Sequence, residues 1–276
     1  MEELKKEIRK AVEDVRRTNP MAPSITNTVT INFVANTQLA VGGSAAMIYL
    51  PDEADAMARM AKSFYINVGT MFPIYEETFS QLAKTLKETS IPWVLDPVAV
   101  GIGQLREASL LKFKEAPPKI IRGNASEIIA LCGLWGLEGG GEGSNVRGVD
   151  AQDQVEEAKE AAISLAKFTG GAVAVSGPVD LVTDGKRVAR SYGGSHYLEK
   201  ITGAGCSLGG VCAVYATCAS PFVAALTATA IYNLAGKRAE ERVEGPGSFQ
   251  VEFINALYTA SPEDVSNNKL EVEVLL

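Results

Sequence analysis

Apolar positions recur along this chain in two patterns, a helical spacing and short unbroken runs. Leu4, Ile8, Val12 and Val15 share one face of a helix over Glu2 to Arg17, while acids and bases alternate elsewhere, as on a solvated outer face. Apolar runs follow at Ser44–Tyr49, Phe64–Val68, Trp93–Leu95, Ile120–Ile121 and Val173–Ser176, with helical patterns such as Tyr75–Thr89 and Gln152–Phe168 between most of them. Strands buried on both faces read as such runs, and their alternation with helices predicts a mostly parallel sheet covered on both sides. Leu181–Thr183 and Val188–Tyr192, joined through Asp184-Gly185, predict a hairpin added to that sheet. Beyond Ile201 the pattern turns helical. Gly209 to Gly236 is nearly free of charge and long enough for a membrane span, but Ser220-Pro221 interrupts it and Thr227 and Thr229 add polar groups. It therefore predicts two buried helices broken at Pro221, and a protein without a membrane partner. Alternation in Leu270–Leu276 predicts a strand. With no linker and no internal repeat, residues 1–276 read as a single domain.

Composition narrows the function classes. A 276-residue chain that is 46% hydrophobic can bury a substantial core. A net charge of −7 and a pI near 5.0 argue against a nucleic-acid partner, which would need a basic face, but not against ATP. The four cysteines form no C-x-x-C pair and His196 is the only histidine, so a structural zinc site is not expected. Sparse cysteine use and a charged start without an apolar signal core point to the cytoplasm.

The densest chemical signal is Thr202-Gly203-Ala204-Gly205, a run of small residues leading into an apolar, helix-length segment from Cys206 to Ala219. A glycine turn ahead of a helix aims several backbone N–H groups at one spot, where the helix dipole favours negative charge. That suits a phosphoryl group gathering charge during transfer. Cys206 then occupies the first helical position, where a thiol's pKa tends to fall. Glycines before a helix can also be no more than a tight turn, so other segments must decide. Ligands of doubly wound sheets bind beyond the carboxyl ends of the strands, and polar residues fall at several such ends here. Asp96 closes Trp93-Val94-Leu95; Arg122, Asn124 and Glu127 follow Ile120-Ile121. Asn124 and Glu127 read as a helix N-cap with its partner three residues on. Alternatively, Asp96 and Glu127 are hard oxygen ligands for Mg²⁺ on a nucleotide whose phosphates Arg122 neutralises. Asn27 and Asn67 each read as a cap or as a polar contact, with a helical pattern beginning at Thr28-Val29. The glycine-rich stretch Gly136–Gly148 lacks the Gly-Lys-Ser/Thr of a P-loop, and Glu138 and Glu142 would repel phosphate, so it reads as a flexible surface loop.

Taken together, Ser24-Ile-Thr-Asn27, Met47, Asn67-Val-Gly-Thr70, Asp96-Pro97-Val98, Arg122-Gly-Asn-Ala-Ser-Glu127, Gly203-Ala-Gly-Cys206 and Gly245-Pro-Gly-Ser-Phe249 stand in a characteristic order. From about Arg16 to about Tyr258 the chain resembles the hydroxyethylthiazole kinases, the thiamine-salvage branch of the ribokinase-like superfamily. The resemblance implies a three-layer α/β/α sandwich and ATP-dependent phosphorylation of the primary alcohol of 4-methyl-5-(2-hydroxyethyl)thiazole. It also implies Mg²⁺ and a homotrimer with active sites at subunit interfaces. By the same resemblance, Asn27, Val29, Met47 and Gly203 belong to the thiazole pocket, and Arg122, Asn124 and Ser176 to the nucleotide site. Asp96 and Glu127 match the acidic pair near the metal, and Gly203, Ala204, Gly205 and Cys206 form the catalytic turn. Many ribokinase-like enzymes carry Asp at the Cys206 position, so the thiol is either a proton acceptor or a pocket wall. Pro178 stands where the family often has Glu, and the Gly139–Gly143 run also departs from the family. Rival readings are a dehydratase of hydrated nicotinamide cofactors, a hydroxymethylpyrimidine kinase and a non-catalytic binder of thiamine precursors.

Overall fold

The computed structural model describes residues 1–141 and 155–275. In chain order the elements are α1 (Glu2–Thr18), β1 (Met21–Ile25), α2 (Ile31–Ala40), β2 (Ser44–Met47), α3 (Pro51–Met60), β3 (Phe64–Asn67), α4 (Tyr75–Thr89), β4 (Trp93–Asp96) and α5 (Gln104–Glu115). They continue as β5 (Ile120–Asn124), α6 (Ala125–Leu134), α7 (Lys159–Thr169), β6 (Ala172–Ser176), β7 (Asp180–Thr183) and β8 (Arg187–Ser191). A 3₁₀ turn (His196–Lys200) then precedes α8 (Ala204–Ala216), α9 (Pro221–Glu240), α10 (Pro246–Thr259), α11 (Pro262–Ser266) and β9 (Leu270–Val274).

The described strands form one sheet in the order β2-β1-β3-β4-β5-β6-β7-β8-β9. Pairing is parallel from β2 through β6 and antiparallel from β6 to β9. Successive strand residues point to opposite faces, so Tyr65 joins one apolar cluster while Phe64 and Ile66 join the other. The first cluster packs the sheet against α1, α2, α8, α9 and α10, the second against α3 to α7. This is the expected three-layer α/β/α sandwich, with strands, hairpin and terminal strand where the sequence pattern puts them. The apolar stretch breaks as expected: Ser220 flanks the start of α9 and Pro221 takes its first position, where a missing N–H does no harm. No helix among the described residues is long and apolar enough to cross a membrane.

Several boundaries differ from the sequence reading. β1 was not expected, because Pro23 and Ser24 are poor strand formers; its pairing with β3 begins only after Pro23, and the buried Ser24 hydroxyl accepts a hydrogen bond from Gln38. Thr28 and Val29 lie in a turn, and α2 starts at Ile31. The last helical layer begins at Ala204, which moves Cys206 to the third helical position. Of the Gln152–Phe168 pattern, residues 152–154 lie outside the described residues, as do residues 142–148 of the glycine-rich stretch. Its described part closes against α6, where the Gly141 N–H donates to the Ile129 carbonyl at 3.3 Å.

The rim of the sheet at β9 is charged. Glu273 pairs with Lys159 at 2.9 Å and with Arg190 at 3.4 Å, and the Tyr192 hydroxyl donates to Glu271 at 2.7 Å. At the opposite rim every residue of β2 is half-buried.

Candidate active site

The parallel register aligns the strand ends that carry polar groups. Asn67 at the end of β3 lies beside Asp96 at the end of β4, and Asn124 at the end of β5 lies beside Ser176 at the end of β6. The amino end of α8 faces this row. Gly203 sits at φ +95°, a left-handed conformation open mainly to glycine, and brings no side chain to cap the helix. The amide groups of Ala204, Gly205 and Cys206 therefore have no side-chain cap, as an anion site requires.

Arg122 binds the two halves of the site together. A Cβ on Gly205 would fall 2.6 Å from Arg122 Nη1 and 2.8 Å from Nη2, so the guanidinium lies directly against the first turn of α8 and only glycine leaves room for it. Arg122 Nη2 donates to Ser176 Oγ at 2.9 Å, and Nη1 pairs with Asp96 Oδ2 at 3.5 Å. That same carboxylate oxygen also accepts from Asn67 Nδ2 at 3.0 Å and lies 3.1 Å from the Tyr65 hydroxyl. Tyr65 donates most closely to the Cys206 carbonyl, at 2.7 Å, and so ties β3 to α8. Asp96 Oδ1 and Arg122 Nε are both buried and lack a partner among the described residues. Two such atoms in the site leave bonding capacity for an additional group.

The electrostatics follow from this crowding. Burial raises the Asp96 carboxyl above the usual carboxylate range, with Arg122, Tyr65 and Asn67 holding part of the rise back. Burial also disfavours charge on Arg122, but Asp96 and Glu127 outweigh it and hold the guanidinium above its ordinary value. Glu127 is pushed up to about 7 by burial and then by the Asp96 charge. Cys206 departs from the sequence expectation. Its thiol rises to about 11, chiefly through burial and secondarily through Asp96, with Arg122, Asn67 and Thr30 offsetting only part. The third position of a helix favours a thiolate, but here desolvation and a nearby carboxylate outweigh the dipole.

The remaining sequence candidates fall into two groups. Asn124 and Glu127 form a complete capping box: Asn124 Oδ1 accepts the Glu127 N–H and Glu127 Oε2 accepts the Asn124 N–H, both at 2.9 Å. Asn27 is not a helix cap. Its Oδ1 accepts from the Val29 N–H at 3.2 Å and from Thr70 Oγ1 at 3.0 Å, which shapes a turn that sets Thr30 against Gly203. Met47 is half-buried and packs on the apolar cluster that Cys206 also touches. Val29 lies on the same turn as Asn27 but is 73% exposed. Asn67 is neither cap nor free contact: its amide holds Asp96 and its oxygen accepts the Gly69 N–H at 2.8 Å.

Tyr65 is the residue that sequence reading missed. Tyr65 and Asn67 sit two apart in an otherwise apolar strand and therefore share a face, which is the available signal. Among the described residues, no cluster of three or more His, Cys, Asp or Glu side chains gathers as a closed metal cage. The unpaired Asp96 oxygen with Glu127 nearby fits the alternative, a hard cation held by one or two carboxylates together with water and substrate phosphates.

Comparison with known proteins bears on this geometry. A family model described as the hydroxyethylthiazole kinase family matches residues 12–263. A hydroxyethylthiazole kinase of Bifidobacterium longum is 49% identical over 288 aligned positions, covering 98% of this chain and 92% of that protein. The solved hydroxyethylthiazole kinase of Pyrococcus horikoshii OT3 superposes with a TM-score of 0.84 at 31% identity, covering 98% of this chain and all of that one. A ribokinase-like superfamily protein of Enterococcus faecalis shares the fold, with a TM-score of 0.59 at 11% identity over 90% of this chain and 93% of its own.

Proposed function

This chain belongs to the hydroxyethylthiazole kinase family, and from that premise we propose how its residues divide the work of the reaction. The enzyme phosphorylates the primary alcohol of 4-methyl-5-(2-hydroxyethyl)thiazole in thiamine salvage, with ATP as co-substrate. The alcohol oxygen forms a bond to the γ-phosphorus while the bond to the β-phosphate oxygen breaks, ADP departs, and the alcohol's proton is released to solvent as the ester forms. Such transfers pass through a loose transition state in which positioning and electrostatics do most of the catalysis.

In this reading the γ-phosphoryl group lies over the first turn of α8. The N–H groups of Ala204, Gly205 and Cys206 stabilise the charge on its equatorial oxygens, and Gly203 supplies the turn that exposes them. Arg122, held by Ser176, neutralises the polyphosphate, and Asn124 lines the same strand end. Asp96 and Glu127 would hold Mg²⁺, whose chemistry at this place is to screen the polyphosphate charge. The observation that carries the proposal is the Arg122 guanidinium wedged against Gly205 while its Nε and Asp96 Oδ1 stay buried without partners.

The acceptor alcohol lies beside Cys206. A thiol raised to about 11 remains protonated at neutral pH, which favours a pocket wall over a general base. A loose transition state supports this, since the alcohol needs little deprotonation before attack. Asn27, Val29, Met47 and Gly203 form the thiazole pocket. Val29 is 73% exposed in a single chain, so its place in the pocket wall requires a second copy to cover it, as in a homotrimer with sites at subunit interfaces. One sheet with an apolar cluster on each face supports a single working domain over residues 1–276, and four unpaired cysteines are consistent with a cytoplasmic enzyme. Incubation with ATP, Mg²⁺ and a panel of small alcohols should yield phosphorylated thiazole in preference to hydroxymethylpyrimidine phosphate. Absence of the thiazole phosphate would overturn the proposal.

A further inference from the structure

A second buried carboxylate lies on β7, beside the strand that carries Ser176, and has no part in the division of labour above. Asp180 opens β7, opposite Ser191 of β8 in the register. Its Oδ1 accepts the Gly177 N–H at 2.9 Å, and its Oδ2 accepts from Asn233 Nδ2 at 2.9 Å. Asn233 lies within the long helix α9, and its amide nitrogen also donates to Ser191 Oγ at 2.9 Å. Its main-chain carbonyl accepts the Gly194 N–H at 2.8 Å. Asp180 and Asn233 thus hold two backbone segments at once. Gly177 directly follows Ser176, the residue that fixes Arg122 Nη2. Gly194 begins the passage through the 3₁₀ turn to Gly203, the turn that exposes the α8 amides.

We infer that Asp180 and Asn233 form a positioning pair for the nucleotide: by holding Gly177 and Gly194 they set where Ser176 and Arg122 meet the phosphates. The inference rests on the reading of Arg122 as a nucleotide residue. Packing alone would be served by a neutral pair, because a buried carboxylate facing only neutral donors is expensive to desolvate. Burial pushes Asp180 up to about 6, while the Gly177 amide, Asn233 and, last, Arg122 favour its charged form. The carboxylate therefore adds a long-range pull on the guanidinium that an amide would not supply.

An exchange of the two side chains tests this. Asn233→Asp places two carboxyl groups against each other and breaks the pair. It should raise KM for ATP by about tenfold, a larger change than in kcat or in KM for the thiazole. Asp180→Asn with Asn233→Asp restores a donor facing an acceptor, with Ser191 free to turn its hydroxyl, and should return KM for ATP to within about twofold of the parent. An unchanged KM for ATP in Asn233→Asp, or failure of the exchange to recover it, would overturn the inference. So would an equal loss in kcat and both KM values. Arg122→Lys is the control: if it too leaves KM for ATP unchanged, the nucleotide assignment itself is wrong. If it raises KM and Asn233→Asp does not, only the positioning pair fails. Should Asn233→Asp not fold, Asp180→Asn alone decides. It should raise KM for ATP by about threefold and lose that increase when Asn233→Asp is added; no change at either step would equally overturn the inference.

Discussion

Asp96 and Asp180 are both buried carboxylates on strands of one sheet, yet their hydrogen bonds are distributed very differently. Asp180 shares its bonds evenly, one oxygen taking the Gly177 amide and the other the Asn233 side chain. Asp96 concentrates Tyr65, Asn67 and Arg122 on Oδ2 and leaves Oδ1 bare. Leaving a buried acceptor unpaired costs roughly 1–3 kcal/mol. The saturated carboxylate spends its oxygens on anchoring neighbouring groups; the unsaturated one keeps an oxygen that a further group could engage. Readiness for a ligand shows in which atoms are left without partners more than in how polar a region is.

Substitutions that act on the unsaturated cluster should break this contrast most strongly. Arg122→Ala removes the cation paired with Asp96 and the group fixed by Ser176. It should lower kcat/KM on the order of a thousandfold. The isolated carboxylate should also destabilise the fold by about 3–5 kcal/mol, read as a fall in melting temperature. Gly205→Ala adds a methyl group where Arg122 now lies, so the guanidinium must shift; a displacement near 1 Å should cost about a hundredfold in kcat/KM with little change in melting temperature.

Cys206 sharpens the comparison at smaller scale. Cys206→Ala should lower kcat by less than about tenfold and leave KM for ATP nearly constant, whereas the loss of a true general base would reach a hundredfold or more. Cys206→Asp should remain active. In a Cys218→Ser background, the alkylation rate of Cys206 by iodoacetamide should still be climbing at pH 10, because the thiol titrates near about 11. A plateau below pH 9 would show the helix dipole prevailing over burial. The smallest effect is expected from Tyr65→Phe, which deletes the hydroxyl linking the Cys206 carbonyl to Asp96. A loss of one such bond predicts a drop of about threefold to tenfold in kcat.

What the sequence made readable follows from the same physics. Phe64–Val68 and Val173–Ser176 declare themselves because strands covered on both faces must be apolar throughout. Met21–Ile25 stays hidden because Pro23 and Ser24 imitate a loop, and only the pairing geometry shows that neither breaks the sheet. Asp96 and Arg122 could be singled out since strand ends are where such sheets bind ligands, while Ser176 was implied only by the family resemblance. That the three touch could not, since contact across strands depends on register. The thiol of Cys206 failed in the expected direction for a related reason. Helix position is a local property that sequence reveals, while desolvation depends on every neighbour that folding brings near.

The two rims of the sheet have unequal prospects. At β9, Glu271 and Glu273 are already engaged by Tyr192, Arg190 and Lys159, and adding another strand there would mean dismantling those pairs. At β2 the strand itself, Ser44 to Met47, carries no charge and is half-buried throughout. The two rims therefore differ in charge. A strand arriving at β9 would meet a network of ion pairs, and one arriving at β2 would meet uncharged side chains.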